Sequence, residues 1–151
     1  MRQAFNAYAE TDRITGVAAA QPVELVIMVY ERIFDHLSSA EHCMTQGEAA
    51  DAPLIKAVDL INEGLLACLN DEQGGEISKN LRTIYQWAMG RLMSARLQPN
   101  TQTLIEVRGV LGQLADGWRD VAQRGSNARL SIRQEQQRDV FSPNLRASFS
   151  T

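Results

Sequence analysis

Residues 74–97 read GGEISKNLRTIYQWAMGRLMSARL, and from Ile77 to Ala95 their apolar residues recur at steps of three and four. That spacing is typical of one face of an amphipathic α-helix. Gly74-Gly75 before the pattern indicate a turn, and Pro99-Asn100-Thr101 after it stop one helix and cap the next. The stretch therefore predicts a helix over about 76–97.

The same period occurs in three further segments, about 22–45, 52–70 and 101–124. Pro22 suits the first turn of a helix, where its missing N–H costs nothing. The segments are joined by loops of about 3–7 residues, and helices of about 20 residues joined so closely run antiparallel. No segment alternates with period two, so we predict no strand. The expected fold is all-α, an antiparallel up-down four-helix bundle over residues 22–125.

Both ends of the chain fall outside this pattern. Residues 1–21 have little helical periodicity and are predicted to form a flexible N-terminal arm. Residues 126–151 are rich in Ser, Arg and Gln, and carry four arginines against one Glu and one Asp. We expect this C-terminal tail to be weakly helical around 127–140 and partly disordered afterwards.

Composition limits the classes of function. With 151 residues and a formal net charge of −3, the chain is sized for one domain and lacks the basic surface of a general nucleic-acid binder. No apolar stretch approaches the roughly 20 residues of a membrane span, so no membrane insertion is expected. The first residues, MRQAFNAYAETDR, lack the apolar core of a signal peptide. We therefore expect a cytoplasmic protein.

Several apolar residues fall off the main stripe of their helices, and they predict grooves that could hold a partner chain. Any single exposed apolar residue needs no explanation, so the hypothesis depends on their number. Glycines in the fourth helix either admit a close-lying chain or are tolerated in a weak helix, and the sequence leaves both readings open. The candidate binding residues are Met28, Ile55, Leu66, Trp87, Met89, Met93, Ile105, Gly109 and Gly112.

No catalytic, cofactor or metal constellation is visible in the sequence. His36 and His42 each lack the Glu three positions earlier that a di-iron bundle requires, and Gly74-Gly75 lack the sequel of a phosphate loop. A histidine phosphotransfer domain through His36 is the enzyme-class alternative. Asp35 and Glu31 are expected to surround that histidine with negative charge and to repel a phosphoryl group.

Several short motifs follow one another over about residues 5–121. They are Ala7-Tyr8 with Ile14, Pro22-Val23-Glu24-Leu25 through Tyr30, Gly74-Gly75-Glu76-Ile77 with Asn80-Leu81 and Tyr85, Arg91-Leu92 with Ala95, and Glu106-Val107 with Leu111, Leu114 and Trp118. In this order and spacing they resemble the motifs of the FliS family of flagellar export chaperones. Two positions depart from the family pattern, Gln21 in place of a capping Ser and Arg96 in place of an Asn.

The resemblance implies a chaperone that is a helical bundle and uses no nucleotide. Members of the family bind the disordered C-terminal segment of flagellin, which wraps the bundle in apolar grooves. This prevents premature polymerisation and delivers flagellin to the type III export apparatus and its gate. The resemblance also implies that the arm, through Tyr8 and Ile14, acts as a lid over that surface. A helical adaptor for another partner helix, such as an anti-sigma factor, remains the alternative.

Overall fold

The structure is a computed structural model that describes the backbone of residues 22–149 and the side-chain surroundings of residues 23–136. Four helical elements follow one another: α1 (Pro22–Thr45), α2 (Asp51–Asp59), α3 (Asp71–Leu97) and α4 (Thr101–Phe149). A π-helical turn (Leu60–Leu65) and a 3-10 turn (Leu66–Cys68) extend α2. There is no strand among residues 22–149, so the predicted all-α four-helix bundle is confirmed.

Contacts between the helices show how they pair. The Arg108 guanidinium on α4 donates to the backbone carbonyl of Phe34 (3.3 Å) and to the Ser38 hydroxyl (2.8 Å) on α1. An ion pair joins Arg91 on α3 to Glu106 on α4. These two residues lie at similar distances from the short loop between Leu97 and Thr101, so α3 and α4 run antiparallel, as the loop length predicted.

The core is filled from all four helices. Tyr30 on α1 and Tyr85 on α3 meet inside it, and their hydroxyl oxygens lie 2.6 Å apart. Burial raises the pKa of both phenols, so both remain protonated and one donates its hydrogen to the other. The largest fully buried side chains besides the tyrosines are Ile33, Leu37, Leu54, Ile61, Leu92, Leu104, Leu111 and Val107.

The segment Asn70–Gly75, predicted to be a turn, is instead one helical turn followed by a kink. The Asn70 side-chain oxygen accepts from the N–H groups of Glu72 (3.0 Å) and Gln73 (3.2 Å), so a helix begins at Asp71. Gly75 then takes φ 53° and ψ −127°, which breaks the helical direction. Such a positive φ is accessible to glycine because it has no Cβ.

The predicted second helix is not a regular α-helix to its end. After Asp59 its backbone passes through the π turn, and Gly64 in that turn is buried against α1. A Cβ on Gly64 would lie 2.9 Å from Cγ1 of Val29. The missing side chain therefore allows α1 and α2 to approach closely at this point.

The predicted end of the fourth helix near residue 124 is wrong, because α4 continues to Phe149. Gly125, Ser126 and Asn127 have low helix propensity, yet each costs about 1 kcal/mol or less and none forbids a helix. Residues 127–140 are helical as expected, and the helix bounds extend to Phe149. The predicted N-terminal arm lies outside the described residues.

Candidate functional site

Two ion pairs show which side of α3 faces α2 and which side faces α4. Arg96 contacts Asp51 of α2 (3.4 Å), whereas Arg91 contacts Glu106 of α4. Residues three or four apart share a helix face, so Met89 and Met93 lie with Arg96 on the α2 side. An Arg96 N–H also reaches the Met93 sulfur at 3.9 Å.

The groove between α2 and α3 is lined by apolar side chains from both helices. Ile55 lies one turn after Asp51 and therefore faces α3. Ile55 is 39% exposed and Met93 is 40% exposed, whereas Met89 is half-buried and packs against the core. Two of the predicted residues therefore present free apolar surface in this groove, and Met89 mainly contributes to its floor.

The other side of α3 carries Trp87, one turn before Arg91. The indole is 38% exposed and lies beside the α3–α4 contact. The Arg91 Nε is buried and has no hydrogen-bond partner among the described residues, although its terminal nitrogen bonds Glu106. Trp87 therefore presents apolar surface next to the α3–α4 contact, and its role in binding stays a prediction.

A cleft of about 470 Å³ lies between α1 and the π turn that extends α2. Met28, 61% exposed, stands at its rim, and Leu60 of the π turn lines it from the other helix. Charged side chains form the outer edge of the cleft. The full lining is Leu25, Met28, Val29, Glu31, Arg32, Asp35 and Leu60.

The fourth groove lies between α1 and α4. Arg108 reaches α1 there, and Ile105, three residues earlier on α4, shares this side and is half-exposed. Gly109 and Gly112 follow on the outer part of the same face. A Cβ added at either glycine would meet no atom within 4 Å, so no part of the described chain requires these glycines for packing.

Some sequence expectations for individual residues were wrong. Leu66 is half-buried against the core, like Met89, because the 3-10 turn directs it inward rather than along a side stripe. Ile77, expected in the core, is 70% exposed because it follows the kink at Gly75. Val121, which continues the apolar period of the predicted segment 101–124, is half-exposed rather than part of the core. The Gly74-Gly75 pair in the sequence could have indicated that the helix changes direction just before Ile77 and so turns this residue away from the core.

The charge around His36 also differs from expectation. Partial burial lowers the pKa of His36 below its usual value, and Lys56 and Arg32 lower it further, while Asp35 opposes them. The expected negative surroundings are therefore wrong: the cations dominate. Among the described side chains no group of three or more His, Cys, Asp or Glu is placed to hold a metal ion. Within residues 22–149 no helix is long and apolar enough to span a bilayer.

Substituting Gly109 and Gly112 distinguishes between glycines that admit a partner chain and glycines that are only tolerated in a weak helix. Changing Gly109 and Gly112 together to alanine is expected to raise the free energy of unfolding by about 1–2 kcal/mol, because alanine favours the helix and the new methyl groups meet no atom. Urea denaturation measures this. If a partner chain lies against these glycines, the same variant should bind it more weakly. Unchanged binding would mean that the glycines are merely tolerated in a weak helix.

Comparison with known proteins agrees with the geometry. The family model described as flagellar protein FliS matches residues 4–125. The flagellar secretion chaperone FliS of Salmonella typhimurium is 34% identical over 124 residues, 81% of this chain and 92% of the relative. The Escherichia coli chaperone of the same name is 28% identical, covering 76% and 85% of the two chains. FliSB of Pseudomonas aeruginosa is 27% identical, covering 77% and 93%. This four-helix bundle belongs to the FliS family of flagellar secretion chaperones.

Proposed function

We propose that this chaperone binds the disordered C-terminal segment of flagellin in the cytoplasm, prevents its premature polymerisation and delivers it to the flagellar type III export apparatus. The observation that carries the proposal is the placement of exposed apolar residues along four grooves of one bundle. Met28, Ile55, Met93, Trp87 and Ile105 are each more than a third exposed. None of them is needed to complete the core.

The distribution of these residues favours an extended client over a single partner helix. A helix docks its apolar face into one groove and leaves the others open. The exposed residues here lie on two sides of α3 and on two sides of α1, so one straight helix cannot cover them. A chain that wraps the bundle can contact each groove in turn, and a disordered segment has the required freedom.

The expected affinity is moderate. Each apolar side chain that becomes fully buried contributes about 1.5–3 kcal/mol. Ordering a disordered client offsets about 2–5 kcal/mol or more of that gain. A delivery chaperone must release its client, and a moderate net affinity permits release without a nucleotide.

Titration calorimetry with full-length flagellin and with flagellin lacking its C-terminal segment tests the proposal. We expect binding to the full-length protein with a negative heat-capacity change, since apolar surface is buried, and no binding to the truncated protein. Equal binding to both proteins, or to neither, would contradict the proposal. Binding of a folded helical regulator at one groove only would favour the adaptor function instead.

A further inference from the structure

The part of α4 beyond the bundle presents a surface that the described chain leaves uncovered. The register of Arg108 against Ser38 places Pro22, the first residue of α1, opposite about residue 124 of α4. The pair Arg91–Glu106 places Glu76, the first residue of α3 after the kink at Gly75, opposite about residue 121. From about residue 125 to residue 136, α4 therefore runs past both of its neighbouring helices.

Two arginines on this extension have no ion-pair partner among the side chains of residues 23–136. Arg129 and Arg133 are one helical turn apart, and together with Ser126 and Leu130 they line one shallow hollow. Neither forms an ion pair with any side chain of residues 23–136, whereas Arg124 on the opposite face pairs with Asp120 at 2.8 Å. Leu130 and Ile132 beside them are more than half exposed. An occupant of this face needs two acidic groups flanked by apolar side chains.

Residues 8–14 of the same chain have that composition. The sequence YAETDRI places Glu10 and Asp12 between Tyr8 and Ile14, and these are the two acidic residues of the first 21. Two residues along an extended chain span about 6.6 Å, close to the 6 Å or so between residues i and i+4 of a helix. The spacing of the two carboxylates therefore fits the spacing of the two arginines.

The arm also starts in the right place. It joins the bundle at Pro22, opposite about residue 124, and Arg129 lies only about 8 Å further along α4. The ten residues that separate Asp12 from Pro22 reach up to about 33 Å, which leaves ample slack. A second copy of the extension is a poorer occupant, because it would bring two further arginines against these two.

We propose that residues 8–14 dock on α4 beyond the bundle, with Asp12 and Glu10 paired to Arg129 and Arg133, and Tyr8 and Ile14 packed beside Leu130 and Ile132. This placement differs from a lid over the bundle grooves, since it holds the arm at the end of the bundle. It does not depend on the identity of the client.

A nitroxide label tests the docking in the full chain. The label is attached at Gln136→Cys in a protein carrying Cys43→Ser and Cys68→Ser, and broadening of the amide signals of residues 8–14 is measured by NMR. We expect strong broadening. Arg129→Glu with Arg133→Glu should reduce the docked-to-free ratio about fivefold, the size expected for two exposed ion pairs. Adding Glu10→Arg and Asp12→Arg should restore the broadening.

Matched controls make the result decisive. Arg124→Glu changes a charge on the same helix but on another face, and should leave the broadening unchanged. If the reversed arginines unfold the extension, seen as lost helicity, Glu10→Gln with Asp12→Asn removes the same pairs from the arm side. No broadening in the parent, or equal broadening after either charge change, would overturn the proposal. In a mixture of nitroxide-labelled and isotope-enriched molecules, broadening in the enriched molecules would show docking between two copies and would overturn the proposal.

Discussion

Replacing Ile55 and Met93 together by glutamate is expected to weaken flagellin binding about a hundredfold. Both side chains line the α2–α3 groove and are about 40% exposed, so each has apolar surface to offer a client. Burying the exposed 40% of two such side chains is worth about 1–2 kcal/mol. Placing two carboxylates against an apolar client adds a desolvation cost, which brings the expected loss to about 3 kcal/mol. The bundle itself should keep its helicity, because each substituted side chain already reaches solvent.

The matched control places the same two charges elsewhere. Gln46, just after α1, and Gln98, just after α3, are exposed and lie outside the helix faces that carry the candidate residues, so Gln46→Glu with Gln98→Glu adds two acidic groups without removing apolar surface. Calorimetry with full-length flagellin should give the parent affinity for the control. Equal affinities for both double variants would show that the α2–α3 groove does not hold the client. Circular dichroism on all proteins separates loss of binding from loss of fold.

Gly64→Leu is expected to lower the free energy of unfolding by about 3 kcal/mol. Even a bare Cβ at this position would lie 2.9 Å from Cγ1 of Val29, a short and stiff side chain that cannot swing away. The leucine must therefore separate α1 from α2 at their closest approach. A bundle of this size has a total stability of about 5–15 kcal/mol, so the loss is a large part of it.

Gly90→Leu supplies the control for this substitution. Gly90 is exposed on α3 with no atom within 4 Å of its added Cβ, so leucine there should stabilise the helix by roughly 0.5–1 kcal/mol. Combining Gly64→Ala with Val29→Ala should recover stability relative to Gly64→Ala alone, because the smaller residue 29 makes room. Urea denaturation curves measure all four proteins. A Gly64→Leu protein as stable as the parent would contradict the close-contact interpretation.

Local chemistry explains which parts of the fold were predictable. The bounds of α1 follow from Pro22 and from the apolar period that ends near Thr45, and both signals are local. The π turn was not predictable, because the local apolar period gives no sign that Gly64 contacts Val29 of another helix. The continuation of α4 was missed because Gly125 and its neighbours disfavour a helix only slightly.

The helical period predicts which residues point away from the core, and to that extent the candidate site could be predicted from the sequence. Met28 and Ile55 fall off the core stripe of regular helices, and the structure exposes them. Leu66 and Met89 were predicted to be exposed but pack against the core. The period gives the direction of a side chain around its own helix, but not how closely the neighbouring helices cover it. The surroundings of His36 were misjudged for a related reason, since Lys56 comes from a different helix and is invisible in the local sequence.

The separation of the four grooves has a consequence for release. A client held at several grooves is a multivalent ligand, in which each bound segment raises the effective concentration of the next. Overall avidity then exceeds the affinity of any one groove, yet no groove has to be tight. A pull on one end of such a client breaks one contact at a time, so the force needed is set by a single groove rather than by their sum. Under the proposed function, spreading the apolar residues over several sides of the bundle combines secure holding with unloading by traction from one end.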